Sequence, residues 1–279
     1  MIMTWKKWLE WAQTQLYCST SPRLDAEIIL SKILNKSRTY ILAFDDTVLN
    51  EIEKYNLLKL LYRRKQGEPI AYLIGMQEFW SLNIQVYYDI FIPRSDTECL
   101  VEQVLNLFTT PNIKVLDLGT GSGAIALAIA SEHPEWDITA VDCQMQAIKL
   151  ACANAVHLNL NNILFLYGNW FNLLHNNYYN VIVSNPPYLD IQDSHLLCAN
   201  LKFESKQSLI SANQGLADLN IIIKYSPKHL LHGGWLIVEH GWKQGRCVRV
   251  LFKNSGFKKI VTLRDYNKNE RATCGQWCY

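Results

Sequence analysis

Lys114-Val115-Leu116-Asp117-Leu118-Gly119-Thr120-Gly121-Ser122-Gly123 is an apolar run that breaks into three glycines at alternate positions. Val115 to Leu118 has the character of a strand buried in a parallel sheet. The glycines let the backbone turn sharply and come close to a ligand. The apolar stretch that follows, Ala124 to Ser131, reads as a helix. Strand, glycine loop and helix together open a parallel α/β sheet. Several cofactor classes use such a loop, and its spacing separates them. The dinucleotide fingerprint has two residues before its third glycine, whereas this loop has only Ser122. Asp117, just beneath, adds a carboxylate that disfavours a pyrophosphate and suits a cationic, ammonium-bearing ligand.

Strands and helices continue to alternate downstream. Ile138 to Val141, Ile163 to Tyr167, Val181 to Ser184 and Trp235 to Val238 read as strands, with Lys258 to Thr262 and Thr273 to Trp277 closing the sheet. Met145 to Leu158, Leu216 to Leu231 and Gln244 to Ser255 read as helices. Asp142 ends the second strand, where its carboxylate can accept two ribose hydroxyls; capping the helix from Gln144 is the plainer alternative. Asn169-Trp170 follows the third strand. The amide there can read the edge of an adenine and the indole can cover its face, or Trp170 is simply core.

Val181-Ile182-Val183-Ser184-Asn185-Pro186-Pro187-Tyr188 carries the chemistry. The prolines forbid a continuing ladder or an immediate helix, so the polar groups sit on a stiff turn at a strand's carboxyl end. The Asn185 side chain and the Pro186 carbonyl can accept both hydrogens of a planar –NH2 group, and Tyr188 offers a face to stack on it. The bland reading is a tight surface turn.

The front of the chain has a different period. From Met1 to about Gly75, Trp5, Trp8, Leu9 and Ala12, then Leu24, Ile28, Ile29 and Ile33, recur at helical steps. A third helix, around Glu51 to Gln66, ends on Arg63, Arg64 and Lys65, which suit the negative pole of its dipole. This segment reads as a small all-α domain (1–75) that is either an oligomer face or, the favoured reading, a docking module for another macromolecule. Residues 76–92 read as a β-hairpin linker and 93–279 as the main domain. Ser95 and Glu98 stand at capping-box spacing, and Arg94 could reach an acidic ligand group but reads more plainly as a solvated anchor.

Net charge is +2 with 49% hydrophobic and 19% charged residues, which demands neither nucleic acid nor a membrane surface as partner. The amino terminus lacks the apolar core of a signal peptide, and no apolar run is long enough to span a bilayer. A cytoplasmic monomer is expected. Eight cysteines (Cys18, Cys99, Cys143, Cys152, Cys198, Cys247, Cys274 and Cys278) show no metal-ligand spacing and read as buried, reduced thiols. No metal site is expected.

These pieces resemble the Rossmann-like S-adenosylmethionine-dependent methyltransferases. More narrowly, the chain resembles the PrmC/HemK family of protein-glutamine methyltransferases that act on peptide chain release factors. The resemblance rests on Ile92-Pro93-Arg94-Ser95-Asp96-Thr97-Glu98, Asp117 to Gly123, Asn185 to Tyr188, Phe203-Glu204, Glu239-His240-Gly241, and Asp265-Tyr266 with Asn269-Glu270-Arg271. Ser205 and Ser95 stand where the family commonly has proline. The resemblance implies a mostly parallel seven-stranded class I methyltransferase sheet behind the helical domain and hairpin. By it, Gly119, Thr120, Gly121, Ser122, Gly123, Asp142, Trp170 and Asn185 bind S-adenosylmethionine. Asn185, Pro186, Pro187 and Tyr188 hold the side-chain amide of the glutamine in a release factor's Gly-Gly-Gln loop for methylation. Asn-Pro-Pro-Tyr also occurs in enzymes that methylate exocyclic amines of DNA or RNA bases, which keeps that activity as the alternative. The third reading, a binding module without turnover, is opposed by the intact motif.

Overall fold

The computed structural model describes residues 2–17 and 19–278, with only the backbone described at His195, Leu197, Ala199 and Asn200. The chain divides into two compact units, Met1–Met76 with Leu197–Phe203, and Gln77–Leu196 with Glu204–Tyr279.

The first unit is helical because its apolar steps coincide with good caps. Thr4 accepts the Lys7 amide at the start of α1 (Trp5–Gln15), and Pro22 opens α2 (Pro22–Leu34). Ser37 caps α3 (Arg38–Ala43); Asn50 and Glu53 form a reciprocal capping box on α4 (Glu51–Lys65); α5 (Ile70–Ile74) ends on Gly75. Trp8, Ala12, Ile29, Leu30, Leu57 and Leu61 meet in its core. The basic end of α4 does more than face a dipole. Arg64 donates to buried Asp25 at 2.7 Å and Arg63 forks onto Glu68, so both guanidinium groups are taken up inside the unit.

The second unit begins at Gln77, within the hairpin of β1 (Met76–Phe79) and β2 (Leu82–Gln85), which turns on Trp80 and Ser81 at φ 52° and 58°. Phe79 and Ile84 are buried in this unit's main core. The predicted capping box at Ser95 and Glu98 does not form. Ser95–Thr97 is a 3-10 turn ahead of α6 (Glu98–Leu107), and Glu98 instead accepts the Trp80 amide at 2.9 Å, holding the hairpin turn.

The sheet comprises β3 (Lys114–Leu118), β4 (Asp137–Asp142), β5 (Ile163–Tyr167), β6 (Tyr179–Ser184), β7 (Leu230–Glu239), β8 (Lys258–Arg264) and β9 (Glu270–Gln276). Their order is β5-β4-β3-β6-β7-β9-β8, all parallel except β9, so this is the seven-stranded, mostly parallel sheet expected. Its faces are covered by α6, α7 (Ala124–Glu132) and α8 (Met145–His157) against one core. The turns α9 (Lys206–Leu209) and α10 (Ala212–Gly215) then lead into α11 (Ala217–Tyr225) and α12 (Gly245–Asn254), which bury Leu219, Ile222, Val248 and Phe252 in the other. The predicted helix Leu216 to Leu231 is shorter. Pro227 lacks an amide hydrogen, the chain tightens to a 3-10 turn at Ser226–His229, and Leu230 already belongs to β7.

All seven described cysteines are free thiols, but only Cys99 and Cys274 are buried. Cys143, Cys198 and Cys247 are exposed because they fall on loops or outer helix faces, which corrects the expectation of burial; Cys18 lies outside the described residues. Among the described residues no helix is long and apolar enough to cross a membrane, and no cluster of His, Cys, Asp and Glu is arranged to hold a metal ion.

Candidate active site

Sheet register decides which loops meet. Leu118 at the end of β3 lies beside Ser184 of β6 on one side and Val141 of β4 on the other, and Asp142 pairs with Tyr167 of β5. The glycine loop and the proline turn therefore leave neighbouring strands at the carboxyl edge, where the strand order reverses and ligands bind in such sheets. The Ser184 hydroxyl donates to the Leu118 carbonyl at 2.7 Å and ties the two strand ends together. Above them opens a cavity of about 300 Å³, at the small end of the range for ligand sites. Gly119, Thr120, Gly121, Ser122, Asp142, Trp170, Asn185, Pro186, Pro187 and Tyr188 all line it. Gly123 does not: at φ 88°, an added Cβ would meet Leu127 and Ala151 at 3.0 and 3.1 Å, so it serves the packing of α7.

The glycine-loop side of the cavity is made largely of backbone. The Gly119 and Thr120 amides both donate to the Val141 carbonyl, and the Gly121 amide donates to Asp142 Oδ2 at 2.8 Å. Gly121 sits at φ 57° with open space where a Cβ would be, and Trp170 lays its ring 3.4 Å from the corresponding point on Gly119. Asp142 Oδ1 also accepts the amide of Gln144, the residue before α8, so Asp142 braces the turn ahead of that helix without capping it, and each oxygen keeps a second lone pair. Burial raises the Asp142 pKa, against the opposing pull of those amides. Asp117 lies beneath the loop, as expected. It is wholly buried there, receives the Thr120 hydroxyl at 2.6 Å, and has no described partner for Oδ1. Burial pushes its pKa up to about 7, and it has no direct face on the cavity, which Thr120 lines in its place.

The proline turn is held by side chains from far along the chain. Gln244 Nε2 donates to the Tyr188 carbonyl at 2.9 Å, and Gly215 packs so closely that an added Cβ would stand 2.0 Å from that oxygen. Asn185 Nδ2 donates to Thr97 Oγ1 at 3.2 Å; Thr97 donates to Glu239 Oε2 at 2.7 Å; the Tyr188 hydroxyl donates to Glu239 Oε1 at 3.0 Å. Burial pushes Glu239 up to about 7 and, with Glu239 beside it, raises the Tyr188 phenol as well. Arg94 is no solvated anchor: it pairs with buried Glu204, which also accepts the Ile92 amide at 3.2 Å.

Thr97, Glu239, Gln244 and Gly215 were given no role from sequence. Thr97 and Glu239 lie within the motif segments quoted above, and that was the only signal; nothing local marks Gln244 or Gly215.

Two family profiles match the chain, one described as PrmC N-terminal domain over residues 7–75 and one as methyltransferase small domain over residues 95–215. The release factor glutamine methyltransferase of Salmonella typhimurium is 49% identical over 275 residues, covering 99% of both chains. That of Escherichia coli is 48% identical over the same share of each. The chain belongs to the release factor glutamine methyltransferases. Among solved structures, a methyltransferase from Pyrococcus furiosus matches with TM-score 0.53 at 15% identity, over 71% of this chain and 90% of that one. At that identity the likeness shows the methyltransferase fold alone. In this family's terms the cavity joins a glycine loop to an Asn-Pro-Pro-Tyr turn within one methyltransferase unit.

Proposed function

We propose that this methyltransferase transfers a methyl group from S-adenosylmethionine to the side-chain nitrogen of the glutamine in the Gly-Gly-Gln loop of class 1 peptide chain release factors, in the cytoplasm. The observation that carries the reading is the state of Asn185. Its Nδ2 is engaged by Thr97, so Oδ1 is left as an acceptor in the same cavity as the glycine loop. Among the described residues no hydrogen bond reaches the neighbouring Pro186 carbonyl. The pair suits the two hydrogens of a carboxamide –NH2.

The residues present fit the cofactor. The open face of Gly121, the spare lone pairs of Asp142 and the Trp170 ring form a cradle with acceptors for hydroxyls and an aromatic wall. When bound, S-adenosylmethionine supplies an electrophilic methyl on a sulfonium. An amide nitrogen is a weak nucleophile because its lone pair is delocalised into the carbonyl. Asn185 Oδ1 and the Pro186 carbonyl stabilise positive charge growing on that nitrogen and favour its pyramidal form, while Tyr188 walls the amide plane. Orientation of bound reactants is worth about 7–11 kcal/mol, more than the roughly 3–5 kcal/mol of a general base. No base is therefore assigned, and the displaced proton leaves to water. A glutamate would set its carboxylate against two acceptors, at a cost of about 1–3 kcal/mol for each unpaired group. The helical unit, with Ile52, Tyr55, Leu58 and Tyr62 exposed along α4, is read as the seat of the release factor.

Asn185→Ala tests the reading. Methyl transfer to a purified release factor, followed by mass spectrometry of its Gly-Gly-Gln peptide, is expected to fall about 100-fold or more, with cofactor affinity nearly kept. Near-normal turnover would sink the role of Asn185.

A further inference from the structure

An asparagine side chain is nearly symmetric in shape, so a site that needs its oxygen must prevent the amide from turning over. We infer that Thr97 and Glu239 are positioning residues that fix the Asn185 amide with Oδ1 toward the substrate and Nδ2 away from it. The inference rests on the reading of Asn185 above.

The polarity of the chain follows from donor counting. Glu239 is buried at 2% exposure and, ionised, can only accept. It takes the Tyr188 hydroxyl on Oε1 and the Thr97 hydroxyl on Oε2. Thr97, itself 4% exposed, has a single proton, and that proton is committed to Glu239. Toward Asn185 it can therefore only accept, and only Nδ2 satisfies it. A hydroxyl alone could donate or accept; the carboxylate behind it removes that choice and so dictates which end of the amide is held. The three residues come from three places, the 3-10 turn before α6, the turn after β6 and the end of β7, so the arrangement is not local turn chemistry. Arg271, paired with Asp265 at 2.9 Å and Asp96 at 3.2 Å, places a positive charge that favours ionised Glu239 against the burial that opposes it. The same carboxylate anchors Tyr188, so ring and amide are set by one group.

The test is a comparison of Thr97→Val, Thr97→Ser and Glu239→Gln with the parent enzyme on full-length release factor. Thr97→Val is expected to lower kcat about tenfold, as for one lost neutral hydrogen bond, while cofactor affinity by calorimetry is unchanged; Thr97→Ser restores kcat. A second readout follows polarity itself. A release factor carrying glutamate in place of the target glutamine should inhibit Thr97→Val more strongly than the parent, because a freed Asn185 amide can turn its –NH2 to the carboxylate. If Thr97→Val does not fold, Glu239→Gln carries the same two readouts, since a glutamine there can donate and so reverse Thr97. Unchanged kcat and unchanged inhibition, with Asn185→Ala inactive, would overturn this inference alone. Retained transfer in Asn185→Ala would overturn the parent reading instead.

Discussion

The glycine loop after β3 and the proline turn after β6 leave adjacent strands, yet they are held in different ways. The loop is secured by its near surroundings: Gly119 and Thr120 bond to Val141, Gly121 bonds to Asp142, and Trp170 covers Gly119. The turn is secured from a distance, by Thr97, Gly215, Glu239 and Gln244. A cofactor common to many enzymes can be met by a backbone shape that β3, β4 and the loops after them build together. A substrate amide requires a definite order of donors and acceptors, which only buried side chains from several elements can impose.

If the two halves are held separately, damage to one should spare the other. Gly215→Ala is expected to have the largest structural effect, because its Cβ would stand 2.0 Å from the Tyr188 carbonyl oxygen at φ 79°. We expect a loss of about 3 kcal/mol or more, seen as a melting point lower by roughly 10 °C, with turnover reduced more than cofactor affinity. An equal loss of both would break the separation.

The two buried acids sharpen the comparison by pH. Glu239 and Asp117 are both pushed up to about 7 by burial, but they sit behind different halves. Ionised Glu239 keeps Thr97 donating, so kcat should fall as pH drops through about 7, and that limb should vanish in Glu239→Gln. The titratable groups facing Glu239 are Tyr188 beyond β6, Asp96 before α6, Cys99 in α6 and Arg271 in β9; of these Arg271, by its charge, and Tyr188, by its hydrogen bond, favour the ionised form. Ionised Asp117 attracts a cationic ligand, so cofactor affinity should weaken over the same fall in pH, in both the parent and Glu239→Gln. The smallest effect is expected for Gly121→Ala, where φ is 57° and the space is open. Backbone strain of about 1–2 kcal/mol should appear mainly as weaker cofactor binding by calorimetry, with kcat at saturation kept.

Sequence reading reached the first half further than the second for the same physical reason. Alternate glycines, Asp142 and Trp170 announce themselves because strand ends, loops and helix starts are local. The sheet was legible because parallel strands buried on both faces read as apolar runs. What failed depended on distant partners. Ser95 and Glu98 have the spacing of a capping box, but Glu98 answers to Trp80. Arg94 reads as a surface group until Glu204 is brought beneath it. Asp117 lies beneath the loop as its position in the chain implies, but that Thr120 seals it there is not legible in the sequence.

The bond from Ser184 to Leu118 has one more consequence. Parallel neighbours in a sheet stand about 4.8 Å apart, a pitch that no side-chain change alters. On the proposed function, methyl donor and acceptor are thus mounted on one ruler, and a substitution in the proline turn can alter the grip on the recipient group without disturbing the gap the methyl must cross.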